Sequence, residues 1–370
     1  MSRETADRHY DAILIGSGQG GTPLSKALAK AGWRTALIER KYVGGTFVNV
    51  GCTPTKTMVG SARVAYMASR AQGFGIRASL SGTDMEKVRQ RKREIVLQSR
   101  EGSEKSLLKT ENLDLIYGEA RFTGPKSLSV KENAGELLSL TADKIFIDTG
   151  TRPAVPSIAG FEAVRTLPNV LDNASIMELD QVPEHLLVLG GGYIGLEFAQ
   201  MFRRFGSRVT IVQSGAQLLA REDADVMEEV TKILREDGID VLLDAKTSPV
   251  SGDAGKITLE LQQGSKQQTL EGTHLLVAVG RTPNTEGLDL PAAGIATDDK
   301  GYVRVNASLE TNVPGVYGIG DVKGGPAFTH ISYDDFRILR DNLLENKHVT
   351  TEGRMLPYTI FLDPHWVASG

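Results

Sequence analysis

Two stretches of this chain fix most of what it can become. In each, a short apolar run ends in glycine and gives way to a glycine-rich turn and a helix. The first, "YDAILIG" (10–16), reads as a buried parallel strand. "TPLSKALAKAG" (22–32) follows as a helix closed by Gly32, and "RTALIER" (34–40) as the next strand. The same grammar returns around 186–213: "HLLVLG", then "YIGLEFAQMFRRFG" ending in Gly206, then "SRVTIVQ". The chain therefore holds an internal repeat of a β-α-β module of about 30 residues.

The turns carry chemistry. Gly16, Gly18 and Gly21 fit G-x-G-x-x-G between strand and helix, and Gly190, Gly192 and Gly195 repeat it, with Tyr193 and Ile194 inside the second motif. The first glycine makes the tight turn and the second lets backbone approach a pyrophosphate. The third lets helix pack on strand, and the helix N-terminus offers N–H groups and positive dipole to phosphate. Glu39, eighteen residues after Gly21, is placed to accept hydrogen bonds from an adenosine ribose. Gln213 holds the same offset from Gly195. Being neutral, it does not repel a 2′-phosphate, which leaves NAD and NADP open. Two cradles imply two dinucleotides, and the natural pair is a flavin and a nicotinamide.

The rest of the chain fits between these units. Helices are expected over 53–71, 84–109, about 223–237 and 327–344, a β-ribbon over 137–150, and a Pro-containing linker over 151–160. A strand followed by a turn is expected in "PGVYGIGDV" (314–322), and the last residues, "YTIFLDPHWVASG", open a new strand pattern. The net charge of −4 gives no broad reason to bind nucleic acid. The basic run "KVRQRKREIV" (87–96) reads as a solvated helix face. A single cysteine in 370 residues excludes an intrachain disulfide and fits a reducing compartment. The start "MSRETADRHY" is polar, and no apolar run nears the roughly 20 residues of a membrane span. A cytoplasmic protein without membrane or nucleic-acid partners is expected, and no metal site.

That cysteine lies in "GGTFVNVGCTPTK" (44–56), with Phe47 five positions upstream of Cys52. Cys52 opens a helix, with Pro54 suited to the first turn and Lys56 one turn on. A thiol so placed is expected to have a lowered pKa. The plainer alternative is a small buried cysteine kept for packing.

At this point the residues resemble a known family. "GSGQGG", "GGTFVNVGCTPTK", "GGGYIGLEFAQ", "AVGRTPN" and "GIGDVKGGPAFTHISYDDFR" look like the pyridine-nucleotide disulfide oxidoreductases, which include dihydrolipoamide dehydrogenase, glutathione reductase and mercuric reductase. "VGCTPTKTMVGSARVAYMA" and "GGPAFTHISYDDFRIL" look most like mercuric-reductase-like members. The resemblance implies an α/β fold with two Rossmann-like dinucleotide-binding domains: 1–152 and 282–345 for FAD, 153–281 for NAD(P), and 346–370 as the start of a truncated interface domain that makes a homodimer. It implies FAD on the first cradle, NADH or NADPH on the second, and hydride transfer from nicotinamide to flavin.

Carried over by position, the resemblance places the flavin end against Cys52 and Lys56, with Glu197 as the ion-pair partner of Lys56. Gly45, Thr46, Thr149, Gly150, Asp321, Ala327 and His330 complete that surround, and Gly118 and Ala120 match backbone near adenine. Tyr193 matches an aromatic lid over the nicotinamide, and Gly280 a contact on that side. The family's C-x4-C pair falls on positions 47 and 52, so Phe47 stands where one redox cysteine is expected. Dithiol–disulfide turnover within one chain then cannot run. The implied activity is an FAD-dependent NAD(P)H oxidoreductase passing electrons to a small molecule such as a quinone, a metal ion or oxygen. Two alternatives stand beside it: a mercuric-reductase-like or dihydrolipoamide-dehydrogenase-like enzyme with an altered redox cysteine, and a non-turnover flavoprotein redox sensor.

Overall fold

The computed structural model describes residues 7–364 and 366–369; residues 1–6 of the polar start, and 365 and 370 near the end, lie outside the described residues. Strand β1 (Asp7–Ile15) leads through helix α1 (Gly21–Lys30) to β2 (Thr35–Glu39). A short helix α2 (Gly45–Asn49), then α3 (Cys52–Arg70) and α4 (Met85–Leu108), precede β3 (Leu113–Gly124), β4 (Ser127–Glu132) and β5 (Leu137–Ile147). After β6 (Thr151–Pro153), α5 (Phe161–Val164) and β7 (Val170–Leu171) comes the second module: β8 (His185–Leu189), α6 (Tyr193–Phe205) and β9 (Arg208–Val212). Helix α7 (Ala224–Glu236) and β10 (Asp240–Leu242) follow, then β11 (Ala245–Gly252), β12 (Ile257–Gln263), β13 (Lys266–Gly272), β14 (His274–Val277) and β15 (Arg281–Pro283). The chain closes with β16 (Val316–Gly318), α8 (Thr329–Glu345), β17 (Pro357–Ile360) and β18 (Trp366–Ser369).

Both modules form the parallel sheets that their apolar strands require. β1 pairs in parallel with β2 on one side and β5 on the other, and β16 adds beyond β5. β4 bridges the outer halves of β3 and β5 antiparallel, so the expected ribbon is a three-strand meander. The second sheet runs β10-β9-β8-β14-β7, all parallel. Every residue of β2 and of β8 is buried, as strands covered on both faces must be.

Two expectations change. Residues 151–160 are not a free linker: β6 pairs antiparallel with β15 through Arg152↔Thr282. The basic run is a solvated face only in part, with Lys87, Arg91 and Arg93 exposed. Lys92 is 3% exposed and paired with Glu178, Arg93 Nε donates to Glu178 at 2.9 Å, and Arg91 donates to Thr57 O at 2.9 Å. These bonds dock α4 on its neighbours, and periodicity alone could not show it because the partners lie far along the chain.

One apolar core joins the two modules. Met58 and Ala62 of α3 share it with Leu196, Phe198 and Phe202 of α6, and Ile360 and Leu362 from the last strand region join them. Phe202 is fully buried and meets Phe205 edge-on at 5.8 Å. Phe202→Ala is expected to lower unfolding stability by about 3–5 kcal/mol in denaturant titration. Val64→Ala, at a position 70% exposed, should stay within about 0.5 kcal/mol.

Candidate functional site

The carboxyl ends of the first sheet, the start of α3 and the start of α6 open into one cavity of about 2090 Å³. Its walls include Gly16, Gly18, Glu39, Gly45, Thr46, Cys52, Lys56, Gly118, Ala120, Thr149, Gly150, Asp321, Ala327 and His330. Tyr193, Ile194, Glu197 and Gly280 line it from the second module, and Phe47 lies on the wall with Cys52. Gly21, Gly190, Gly192, Gly195 and Gln213 are not on this wall.

The glycines follow a shared logic. Gly16 (φ +104°) and Gly190 (φ +111°) have left-handed backbone, and a Cβ on either would strike a backbone carbonyl, Asp148 O at 2.3 Å or Ala278 O at 2.4 Å. A Cβ on Gly21 would meet Gly16 O at 2.5 Å, and one on Gly195 would meet Gly190 O at 2.2 Å, so each third glycine lets helix close on turn. The middle glycines differ. Gly192 has nothing within 4 Å of its Cβ position, whereas Gly18 would meet Asp148 Oδ2 at 2.7 Å. Gly18 is thus required by the protein's own carboxylate, a reason the motif did not reveal.

Glu39 ends β2 and braces the first turn. Its Oε2 accepts from Ser17 Oγ at 2.6 Å and its Oε1 from Lys41 N at 2.9 Å. Gln213 braces the second: Oε1 accepts from Gly191 N at 3.0 Å and Nε2 donates to Gln217 O at 3.2 Å. Gly45 lies against Gly18, where a Cβ would meet Gly18 Cα at 2.9 Å, which seats α2 on the first cradle.

Lys56 Nζ and Glu197 Oε2 are 2.6 Å apart, so α3 and α6 meet through a charge pair. Phe361 completes the joint: its N–H donates to Glu197 Oε1 at 3.0 Å, and Lys56 Nζ lies 4.7 Å from its ring centroid. Tyr193 packs against Phe328 and Tyr358, with ring centroids 5.7 and 5.8 Å away. Its hydroxyl donates to Glu222 Oε1 at 3.2 Å, and Tyr358 bonds the same oxygen. His330 stacks on Phe328, and burial pushes its imidazole down from the ordinary value. Asp321 Oδ2 accepts from Thr151 Oγ1 at 3.0 Å.

Cys52 overturns an expectation. Its thiol is pushed up, not down. Burial is the largest cause; the positive charge of Lys56 lowers it, but the negative charge of Glu197 raises it again. The helix start and the lysine were legible in sequence; the carboxylate from 141 residues later on Lys56 was not.

Sequence reasoning also missed Asp148, Glu222, Phe328, Tyr358 and Phe361. For Asp148 a signal existed: it stands at the carboxyl end of a parallel strand, where open α/β sheets place their ligands. The others reach the cavity only through tertiary packing.

The residues fit a bound dinucleotide. Thr149 Oγ1 is buried on the cavity wall with no hydrogen-bond partner among the described residues, and glycine turns approach the same space. The family model described as pyridine nucleotide-disulphide oxidoreductase matches residues 10–335. The chain belongs to that family. It is 40% identical over 358 residues to RclA of Escherichia coli (strain K12), named a "Probable pyridine nucleotide-disulfide oxidoreductase", covering 96% of this chain and 76% of that protein. It is 33% identical to a mercuric reductase of Staphylococcus aureus, covering 97% and 64%. Among solved structures, the Cu(II) complex of the HOCl-induced flavoprotein disulfide reductase RclA from Escherichia coli superposes with a TM-score of 0.88 at 38% identity, over 98% of this chain and 77% of that one. The fold is thus the α/β fold of flavoprotein disulfide reductases, and the chain is an FAD-dependent pyridine nucleotide oxidoreductase that uses NAD(P)H. No helix among the described residues is long and apolar enough to cross a membrane. Nor is any group of three or more His, Cys, Asp or Glu among them placed to hold a metal ion.

The Cys52 environment sets an order of reactivity. Glu197→Gln removes a charge that raises the thiol, so iodoacetamide alkylation near neutral pH should quicken by about three- to tenfold. Lys56→Met should slow it by a similar factor. Mass-spectrometric rates of Cys52 modification check the order.

Proposed function

We propose that this protein oxidises NAD(P)H and passes the electrons to a small acceptor other than a disulfide. The observation that carries this reading is Phe47 on the cavity wall with Cys52, the sole thiol of the chain. A resolving thiol is what disulfide exchange demands, and an apolar ring cannot serve as one. FAD, when bound, supplies the carrier that accepts hydride and releases electrons.

The chain's residues then divide the work. Residues 1–152 and 282–345 form the FAD part, 153–281 the NAD(P) part, and 346–370 an interface region, the protein acting as a cytoplasmic homodimer. The first cradle, with Gly16, Gly18, Gly21 and Glu39, holds the FAD pyrophosphate and ribose. Gly45, Thr46, Thr149, Gly150, Asp321, Ala327 and His330 surround its other end, and Gly118 and Ala120 face the adenine. Gly190, Gly192, Ile194, Gly195, Gln213 and Gly280 receive the nicotinamide dinucleotide. Tyr193 covers the nicotinamide side and excludes water, while Glu197 fixes the ammonium of Lys56 at the meeting of the two cofactors. Cys52 stays a neutral thiol, in keeping with its burial.

Under anaerobic assay, NAD(P)H with an artificial quinone should turn over, while lipoamide and glutathione disulfide should not. Phe47→Cys should form a 47–52 disulfide, seen as loss of both titratable thiols on oxidation. Disulfide reduction by the unaltered protein would sink the reading. Absence of a 47–52 disulfide in the variant would remove position 47 from the thiol site.

Cofactor choice offers a separate check. Gln213→Glu retains an acceptor for Gly191 N–H and adds a charge that repels a 2′-phosphate. The ratio of kcat/KM for NADH over NADPH should rise by about tenfold. An unchanged ratio would place Gln213 away from the ribose.

A further inference from the structure

The two cradles differ at one matched position. Asp148 and Ala278 occupy equivalent places, because each supplies the backbone carbonyl that faces the first glycine of its turn. One bears a carboxylate where the other bears a methyl. That carboxylate is 7% exposed, and its Oδ2 accepts from Gly21 N at 2.7 Å, the first residue of α1. It fills space beside Gly18 whose counterpart beside Gly192 is open.

We propose that Asp148 is the titrating carboxyl of the first cradle, and that FAD binds the form in which Asp148 carries a proton, taken from solvent wherever the free site is ionised. This rests on the placement of FAD on that cradle. A dinucleotide diphosphate and a carboxylate would share the positive end of one helix, and two anions so close in a buried site repel strongly. Protonation on Oδ1 removes the repulsion and leaves Oδ2 to accept from Gly21.

The charged groups around Asp148 favour the same outcome. Asp321 from the turn after β16 and Asp335 from α8 both add negative potential. Asp335 is largely compensated, by Lys323 at 3.2 Å and Arg354 at 2.8 Å. No cation forms a salt bridge to Asp148 among the described residues. Burial, the largest influence, holds its carboxyl well above the usual carboxylate range, while the Gly21 and Gly18 N–H groups oppose this. The sign follows. A bound diphosphate raises the proton affinity of Asp148 further, so FAD affinity is highest at low pH and falls as pH rises through the titration of the free site.

The test uses apoprotein titrated with FAD by flavin fluorescence from about pH 6 to 9, a range over which the diphosphate stays fully ionised. Calorimetry in two buffers of different ionisation enthalpy counts the protons taken up. The unaltered protein should weaken with rising pH, by up to about tenfold per unit, and show net proton uptake. Asp148→Asn keeps an acceptor for Gly21 N–H, and should bind about tenfold or more tightly at the alkaline end with a flattened profile. Absence of proton uptake by the unaltered protein, or an unchanged slope in Asp148→Asn, overturns the proposal. Should the Asn variant fail to fold by circular dichroism, Asp148→Ala, which copies Ala278, and the proton count on the unaltered protein decide it. Thr149→Val separates the two levels of argument. Unchanged FAD affinity in that variant counts against the placement of FAD in this cavity, while weakened affinity with a pH-independent unaltered protein counts against Asp148 alone.

Discussion

The Lys56–Glu197 pair is the joint on which the arrangement depends. Lys56 stands one turn into α3, the helix that Cys52 opens, and Glu197 stands one turn into α6, the helix that the second cradle opens. A charge pair this enclosed adds little net stability, because desolvation offsets much of the attraction. Its use is geometric. Breaking it leaves a 9%-exposed carboxylate without its cation, so the two helices keep one relative placement. The Phe361 N–H and ring add a third hold on the same two groups. The apolar core beneath, where Met58 and Ala62 meet Leu196 and Phe198, supplies the burial that the charges do not.

A second constraint comes from making one backbone geometry twice. Both turns need a left-handed first glycine and a bare third glycine, and both receive a side-chain oxygen from the end of the neighbouring strand. Glu39 does so with a full charge and Gln213 with a neutral amide. The same backbone therefore carries two different electrostatic surfaces, and the difference lies in side chains that the motif leaves unspecified.

This explains which features were legible in the sequence. The cradles could be read because glycine is demanded by backbone sterics, which act within a few residues. Helices α3 and α4 could be placed to within a residue or so for a similar reason: local periodicity and start signals determine them. What escaped reading was set by distant partners. Residues 151–153 become a strand only because Arg281–Pro283 lie alongside. Lys92 is buried only because Glu178 waits in another segment. Asp148 looked like one more residue before a turn, although its place at a strand's carboxyl end marked it.

Cys52 joins these threads. Its local sequence argues for a reactive thiolate, with a helix start and a lysine one turn away. Its tertiary setting argues the reverse, since burial raises the thiol and Glu197 holds the lysine's charge. The larger effect wins, and the thiol is neutral at rest. A buried thiol whose neutral form is favoured has little to offer as a nucleophile. The polar groups around the cavity form two sets instead: Tyr193 and Tyr358 on Glu222, and Glu197 on Lys56. The thiol thus lies one helical turn from a closed charge pair, in which the lysine's charge is directed at Glu197 rather than left to the sulfur.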